Sequence, residues 1–211
     1  MLRALAAACV VACASGASAA TYSFVQIGDL GGAQNSAFNV ASQLFVDVTN
    51  EGGGQARFTF RNTGPLASTI SEIYFDAENS ALVSLASIIN GAGVNFTTGA
   101  NPSDLPGGGP IGFTGEMAFN TEAVPPPSTH GVDPGEQVSL IFNISTNFGT
   151  LLGQIDSGVI WMGLHVISLP DGQSDGYVNN GEDTPPDVVP LPTGVALGLA
   201  GLAPLAMRRR R

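Results

Sequence analysis

Gly172-Gln173-Ser174-Asp175-Gly176 has the G-x-S-x-G spacing that presents a serine nucleophile on a sharp turn. Such an elbow needs a strand before it, a helix after it and a base histidine later in the chain. Pro170 and Asp171 cut the motif off from the apolar run that precedes it. Residues 177–186 hold too much Gly, Asn and Pro for a long helix, and both histidines, His130 and His165, come earlier. The pattern predicts a turn, not a nucleophile. His165 alternates with Trp161 and Gly163, as a hydrogen-bonded core or interface histidine does in a strand. His130 sits beside Asp133 in a Pro-rich loop, and two isolated histidines do not make a zinc site. The chain has no lysine, which removes Schiff-base chemistry and the P-loop lysine. Gly107-Gly108-Gly109 is then a flexible loop and not a phosphate cradle.

Carboxylates are the remaining chemical resource. A glycosidase needs two of them roughly 5–9 Å apart across a cleft. Glu116 with Glu136 is one such pair among many, and nothing in the spacing selects it. The acidic loop from Asp171 to Asp175 offers oxygen ligands suited to calcium, although no EF-hand or nonapeptide calcium repeat is present. Trp161, Tyr74 and Tyr22 offer faces for sugar stacking, and equally serve as core and rim residues. Asn95-Phe96-Thr97 and Asn143-Ile144-Ser145 match glycosylation sequons, a pattern short enough to arise by chance.

The charge distribution is lopsided. Of seven basic residues, Arg3 lies near the N-terminus and four arginines end the chain, leaving Arg57 and Arg61 in the body. All seventeen acidic residues lie within residues 29–187, so the body carries a net −15. Nucleic-acid binding needs clustered Lys and Arg and is excluded on these grounds. Both cysteines, Cys9 and Cys13, fall in the first fourteen residues, so disulfides, thiolate catalysis and Cys-based metal sites are unavailable to the body.

The elements that must hold these residues read as all-β. Leu44, Val46 and Val48 alternate with Phe45, Asp47 and Thr49, and Phe58 and Phe60 alternate with Arg57, Thr59 and Arg61. The Asn50-Glu51-Gly52-Gly53-Gly54 cluster between them predicts a hairpin with one buried and one wet face. The two arginines fall on the wet face, where surface pairing is expected. Further strands are predicted over residues 70–75, 93–98 and 137–145. Residues 158–168 are almost wholly apolar, which suits a central strand covered on both faces. Residues 81–89 fit neither strand nor helix period cleanly, and residues 147–155 read as a helical turn or loop. Residues 101–109 and 124–135 are Gly/Pro-rich loops. No fixed repeat is present. The expectation is a single β-sandwich over residues 21–170, with a jelly roll as one variant. Residues 171–187 are expected to be a linker.

The two ends read as targeting segments. Arg3, an apolar run over residues 4–14 and Ala17-Ser18-Ala19 have the layout of a secretory signal peptide, expected over residues 1–20 with cleavage at the Ala17–Ala19 site. Val10-Val11-Ala12-Cys13 is a looser lipobox-like alternative that would lipidate Cys13. Residues 188–211 combine Val189-Pro190-Leu191-Pro192, an apolar run over residues 195–207 and the cluster Arg208, Arg209, Arg210 and Arg211. Residues 188–207 approach the ~20 apolar residues that span a bilayer, weakened by Pro192 and Pro204. The arginines would keep the C-terminus in the cytoplasm. A plain, uncut anchor is the alternative.

The tail resembles the PEP-CTERM sorting signal in its VPLPA-type variant, departing from it at Thr193. Ile73-Tyr74-Phe75-Asp76, Gly131-Val132-Asp133-Pro134-Gly135-Glu136 and Gly163-Leu164-His165-Val166 are similar to elements recurrent in the β-rich bodies of such proteins. The resemblance implies processing by an exosortase at the inner membrane of a Gram-negative bacterium. It also implies a place at the cell surface or in an exopolysaccharide matrix, with no catalytic activity and no cofactor. A carbohydrate- or calcium-binding module is the alternative, followed by a secreted carboxylate-dependent hydrolase.

Overall fold

The computed structural model of the protein describes residues 19–179. The expected hairpin is β2 (Leu44–Gly52) and β3 (Gln55–Asn62), paired antiparallel from Leu44 opposite Asn62 to Gly52 opposite Gln55. Alternation decides its faces. Leu44, Val46, Val48, Ala56, Phe58 and Phe60 are fully buried, and the residues between them keep contact with water. Gly53 and Gly54 turn the chain at positive φ, where a side chain would be strained. Both body arginines pair as expected, Arg57 with Glu51 at 2.7 Å and Arg61 with Asp47 at 2.6 Å.

The remaining strands are β1 (Ala19–Gln26), β4 (Thr69–Asp76), β5 (Leu82–Asn90), β6 (Phe96–Thr98), β7 (Thr121–Ala123), β8 (Gln137–Ile144), β9 (Trp161–Ile167) and β10 (Asp175–Asn179). The chain is mostly β, as the sequence predicts. In place of two separate sheets, however, the ten strands form one antiparallel sheet in the order β5-β8-β3-β2-β1-β10-β9-β4-β7-β6. The join is β1. Residues 19–23 of it pair with β2, and Phe24, Val25 and Gln26 pair with β10. The outer strands nearly meet: the Asn90 side chain accepts from Phe96 N at 2.8 Å and donates to Phe96 O at 3.4 Å. The result is a nearly closed, barrel-like sheet.

Two segments differ from expectation. Residues 171–179, taken as linker, supply the β9–β10 turn and the wholly buried β10. The strand expected over residues 93–98 shortens to β6. The ambiguous stretch 81–89 is β5, an edge strand whose register against β8 shifts twice, which blurs its period. Residues 147–155 become the helix α2 (Phe148–Asp156), capped by the Asn147 side chain accepting from Thr150 N at 2.9 Å. The loop over residues 124–135 contains a short helix, α1 (Pro127–His130).

Between the two halves lies the main core. Phe75 on β4 meets Phe58 and Phe60 on β3 and Phe142 on β8 edge-on, with centroids 5.6, 6.1 and 4.9 Å apart. As the long apolar run predicts, β9 is covered on both faces. Met162, Leu164 and Val166 enter this core, while Trp161 packs with Leu105 and Phe113 in a second cluster on the outside. There the 99–120 loop lies on the sheet. It can do so because residue 163 is glycine: a Cβ would stand 2.9 Å from the Phe113 ring and 3.0 Å from Leu105 Cδ2. Gly163→Val is therefore expected to cost about 1–3 kcal/mol by overpacking. It should also open the 99–120 loop to limited proteolysis while leaving the sheet intact by circular dichroism.

Candidate functional site

A polar cluster forms where β4 pairs with β9. The register passes from Ile70 opposite Val166 to Glu72 opposite His165, leaving Ser71 as the extra residue of a bulge. The bulge lets Ile70 and Ile73 both reach the main core and turns Glu72 to the outer side beside His165. His165 Nδ1 donates to Glu72 Oε2 at 2.6 Å, and Ser71 Oγ donates to the same oxygen at 2.5 Å. Ser71 Oγ also lies 3.1 Å from the backbone oxygen of His165. Glu122 on β7 stands opposite Glu72 from the other side. Its carboxylate accepts from Asn101 N at 3.0 Å.

This is a serine, a carboxylate and an imidazole in contact, but not in relay order. A triad base holds the carboxylate on Nδ1 and faces the nucleophile with Nε2. Here Ser71 approaches the Nδ1 side at 3.5 Å, is fully buried and spends its proton on the carboxylate. What the cluster does is clamp β4 to β9 across the bulge. The sequence reading of His165 as a hydrogen-bonded strand histidine holds. It missed Ser71 and Glu72, whose signal was a Ser-Glu step inside an otherwise apolar strand.

The Asp171–Asp175 loop is a second polar constellation, and its carboxylates face donors. Asp175 Oδ2 accepts from Gln26 Nε2 at 2.7 Å, Ser36 N at 3.1 Å and Asn35 N at 3.2 Å. Asp171 Oδ2 accepts from Ser36 Oγ at 2.8 Å and Ala37 N at 3.2 Å. Lone pairs aimed at N–H and O–H groups hold the loop in place. Ser174, the middle of the G-x-S-x-G pattern, lies in this strand–turn–strand connection, without the helix that an elbow requires. Among the described residues no three His, Cys, Asp or Glu side chains are grouped as a metal site would need.

Other residues singled out by the sequence disperse. Glu116 bonds through its backbone to Phe75 at the end of β4, and burial with the nearby charges of Asp76 and Glu78 raises its carboxyl above the ordinary value. Glu136 accepts from Asp133 N in the turn before β8, and no shared partner links it to Glu116. His130 Nδ1 bonds to Val124 O at 2.8 Å within its own loop. Asn143 is engaged with Gln55 and Ser84, and Asn95 binds His130 and Val124 through its backbone. Tyr22 is 3% exposed and Tyr74 is fully buried, so neither offers a face to a sugar. The main-chain oxygen of Pro102 accepts from the Tyr74 hydroxyl at 3.1 Å. Ala19 begins β1, and Ala17, Val189, Pro190, Leu191, Pro192 and Arg208, Arg209, Arg210 and Arg211 lie outside the described residues. No helix among the described residues is long and apolar enough to cross a membrane.

The buried tyrosines set an upper pH limit. Burial, then the Val40 hydrogen bond working against it and the charges of Asp175, Asp171 and Asp29, leave the Tyr177 phenol raised to about 12. Burial raises Tyr22 as well, reinforced by Asp156, and raises Tyr74, reinforced by Glu72, Glu122 and Asp104. The unfolded chain ionises near pH 10 and the folded one later, so the folded state binds more protons above that pH. The stability these phenols contribute is present below pH 10 and falls above it, by up to about 1.4 kcal/mol per pH unit for each tyrosine. Unfolding followed by circular dichroism should therefore show a steep alkaline limb above pH 10.

No family model, curated protein or solved structure matches this chain.

Proposed function

We propose that the chain is an exported, non-catalytic β-domain, displayed at the cell surface or in an extracellular matrix after an exosortase-type enzyme processes its tail. The observation that carries the reading is the order of the three tail segments: Val189-Pro190-Leu191-Pro192, the apolar run and Arg208 to Arg211. Each has a separate physical role, as a cleavable approach, a marginal span and a cytoplasmic stop. The N-terminal signal pattern ending at Ala19 agrees with it.

Two features of the fold fit such a role. Because β1 and β10 are antiparallel neighbours, with Phe24 opposite Asn179, the chain enters and leaves the sheet at the same end. A domain that follows a cleaved signal and precedes a membrane tail is compatible with that arrangement. The polar clusters also suit a passive domain, since Ser71, Glu72, His165, Asp171 and Asp175 spend their hydrogen bonds on one another and on the backbone. Protease treatment of intact cells tests the reading. Digestion of the body from outside, abolished when residues 1–20 are deleted, is expected. Protection of the body in intact cells would refute display at the cell surface.

A further inference from the structure

The two halves of the sheet present different outer faces. Over β9 the 99–120 loop covers the sheet, whereas on β2 and β3 every side chain that alternates with the core keeps contact with water. On this open face the pairing register aligns short polar side chains across strands. Thr21, Asp47 and Thr59 stand in one row that ends at the buried Ser139, and Gln55, Asn143 and Ser84 stand in another. The rows are tied together. Thr21 Oγ1 donates to Asp47 Oδ1 at 2.6 Å, and the Thr59 and Ser139 hydroxyls meet at 2.9 Å. Gln55 Nε2 donates to Asn143 Oδ1 at 3.0 Å, and Asn143 Nδ2 donates to Ser84 Oγ at 2.9 Å.

Charge on this face cancels. It holds both arginines of the body, each against one carboxylate, in the pairs Arg57–Glu51 and Arg61–Asp47. The two pairs use both arginines, so the twelve other carboxylates of the described residues have no arginine partner. We propose that the outer face of β1, β2, β3, β8 and β5 binds a neutral polysaccharide chain. A polyol is recognised by many neutral donor–acceptor pairs, and a hydroxyl or amide in a cross-strand chain still has hydrogen-bonding capacity to spend. The cross-strand bonds have already fixed the rotamers, so contact with a ligand costs little further side-chain entropy. Charge decides among occupants. A polyanion, or a second copy of this chain, meets the repulsion of the −15 body, and a polycation is drawn to the unpaired carboxylates elsewhere. The inference deepens the surface-protein reading, on which it rests for a polysaccharide's being within reach. Binding by purified protein is independent of export, so the two ideas fail separately.

The test is affinity electrophoresis of the full-length chain in mild detergent, through gels containing a neutral β-glucan, dextran, a galactomannan or the acidic polymer alginate. Thr59→Arg and Asn143→Arg place a long cation on the open face, and Met117→Arg places one on the exposed residue of the 99–120 loop. The expected result is retardation by at least one neutral polymer, unchanged between about 50 and 500 mM salt. It should weaken about tenfold in both face variants, each still folded by circular dichroism, and stay as wild type in Met117→Arg. Retardation by none of the neutral polymers, or by alginate alone, would overturn the proposal. So would full binding by a folded Thr59→Arg or Asn143→Arg protein.

Discussion

Phe75→Ala is expected to lower the stability of the domain by about 3–5 kcal/mol, the cost of emptying a core position of a large aromatic. Phe75 is fully buried on β4, and its ring is the point where the second half of the sheet meets the first. It touches Phe58 and Phe60 from β3 and Phe142 from β8, and Phe142 in turn packs on Phe119 at 5.6 Å. Edge-on aromatic pairs add about 0.5–1.5 kcal/mol each beyond their buried area. Strands β3 and β8 are not neighbours of β4 in the sheet, so these rings contribute to the contact between the halves through core packing. A domain with a typical reserve of about 5–15 kcal/mol would lose at least about a fifth of it. Urea unfolding measures the loss, and Phe75→Leu, which keeps most of the volume, should cost clearly less. A loss below about 1 kcal/mol in Phe75→Ala would mean that the halves do not pack through this residue.

Asp175→Ala should cost about 3 kcal/mol or more, because it strands Gln26 Nε2 and the backbone N–H groups of Asn35 and Ser36. Asp175 is 1% exposed, so water cannot substitute freely for the lost acceptor. Two consequences are separable. Global stability falls in denaturant, and the segment around Ser36, tied to the sheet through Asp171 and Asp175, becomes the first site of proteolytic nicking. Asp175→Asn keeps one acceptor oxygen but turns an amide toward donors, and should fall between the two. Unchanged stability and an uncut loop in Asp175→Ala would show that the segment is held by something else.

These two residues mark what was legible in the sequence and what was not. The strict alternation of residues 44–61 specified the hairpin, its faces and the exposed pairing of Arg57 and Arg61. The continuous apolar run near Trp161 specified a strand covered twice. Neither β1 nor β10 was legible. Residues 172–186 carry the Gly, Asn and Pro of a linker, and residues 175–179 are buried between the nearby β9 and β1, which lies more than a hundred residues away. Without those strands, two separate sheets were the natural expectation, and the continuous sheet follows only once β1 is seen to change partners at Phe24. Asp175 looked like an acidic-loop ligand because sequence does not reveal that its neighbours are N–H groups from residues 35–36. The Ser71–Glu72–His165 clamp depends on a bulge, and a bulge shifts the period that a strand pattern relies on.

Export and processing are tested by the intact mass of the chain recovered from cells and medium. A species that begins at Ala20 or Thr21 and ends near Val189-Pro190-Leu191-Pro192 is expected. Replacing Arg208, Arg209, Arg210 and Arg211 by Ala should abolish the C-terminal cut. A full-length C-terminus that stays in the membrane fraction, unchanged by that replacement, would contradict it.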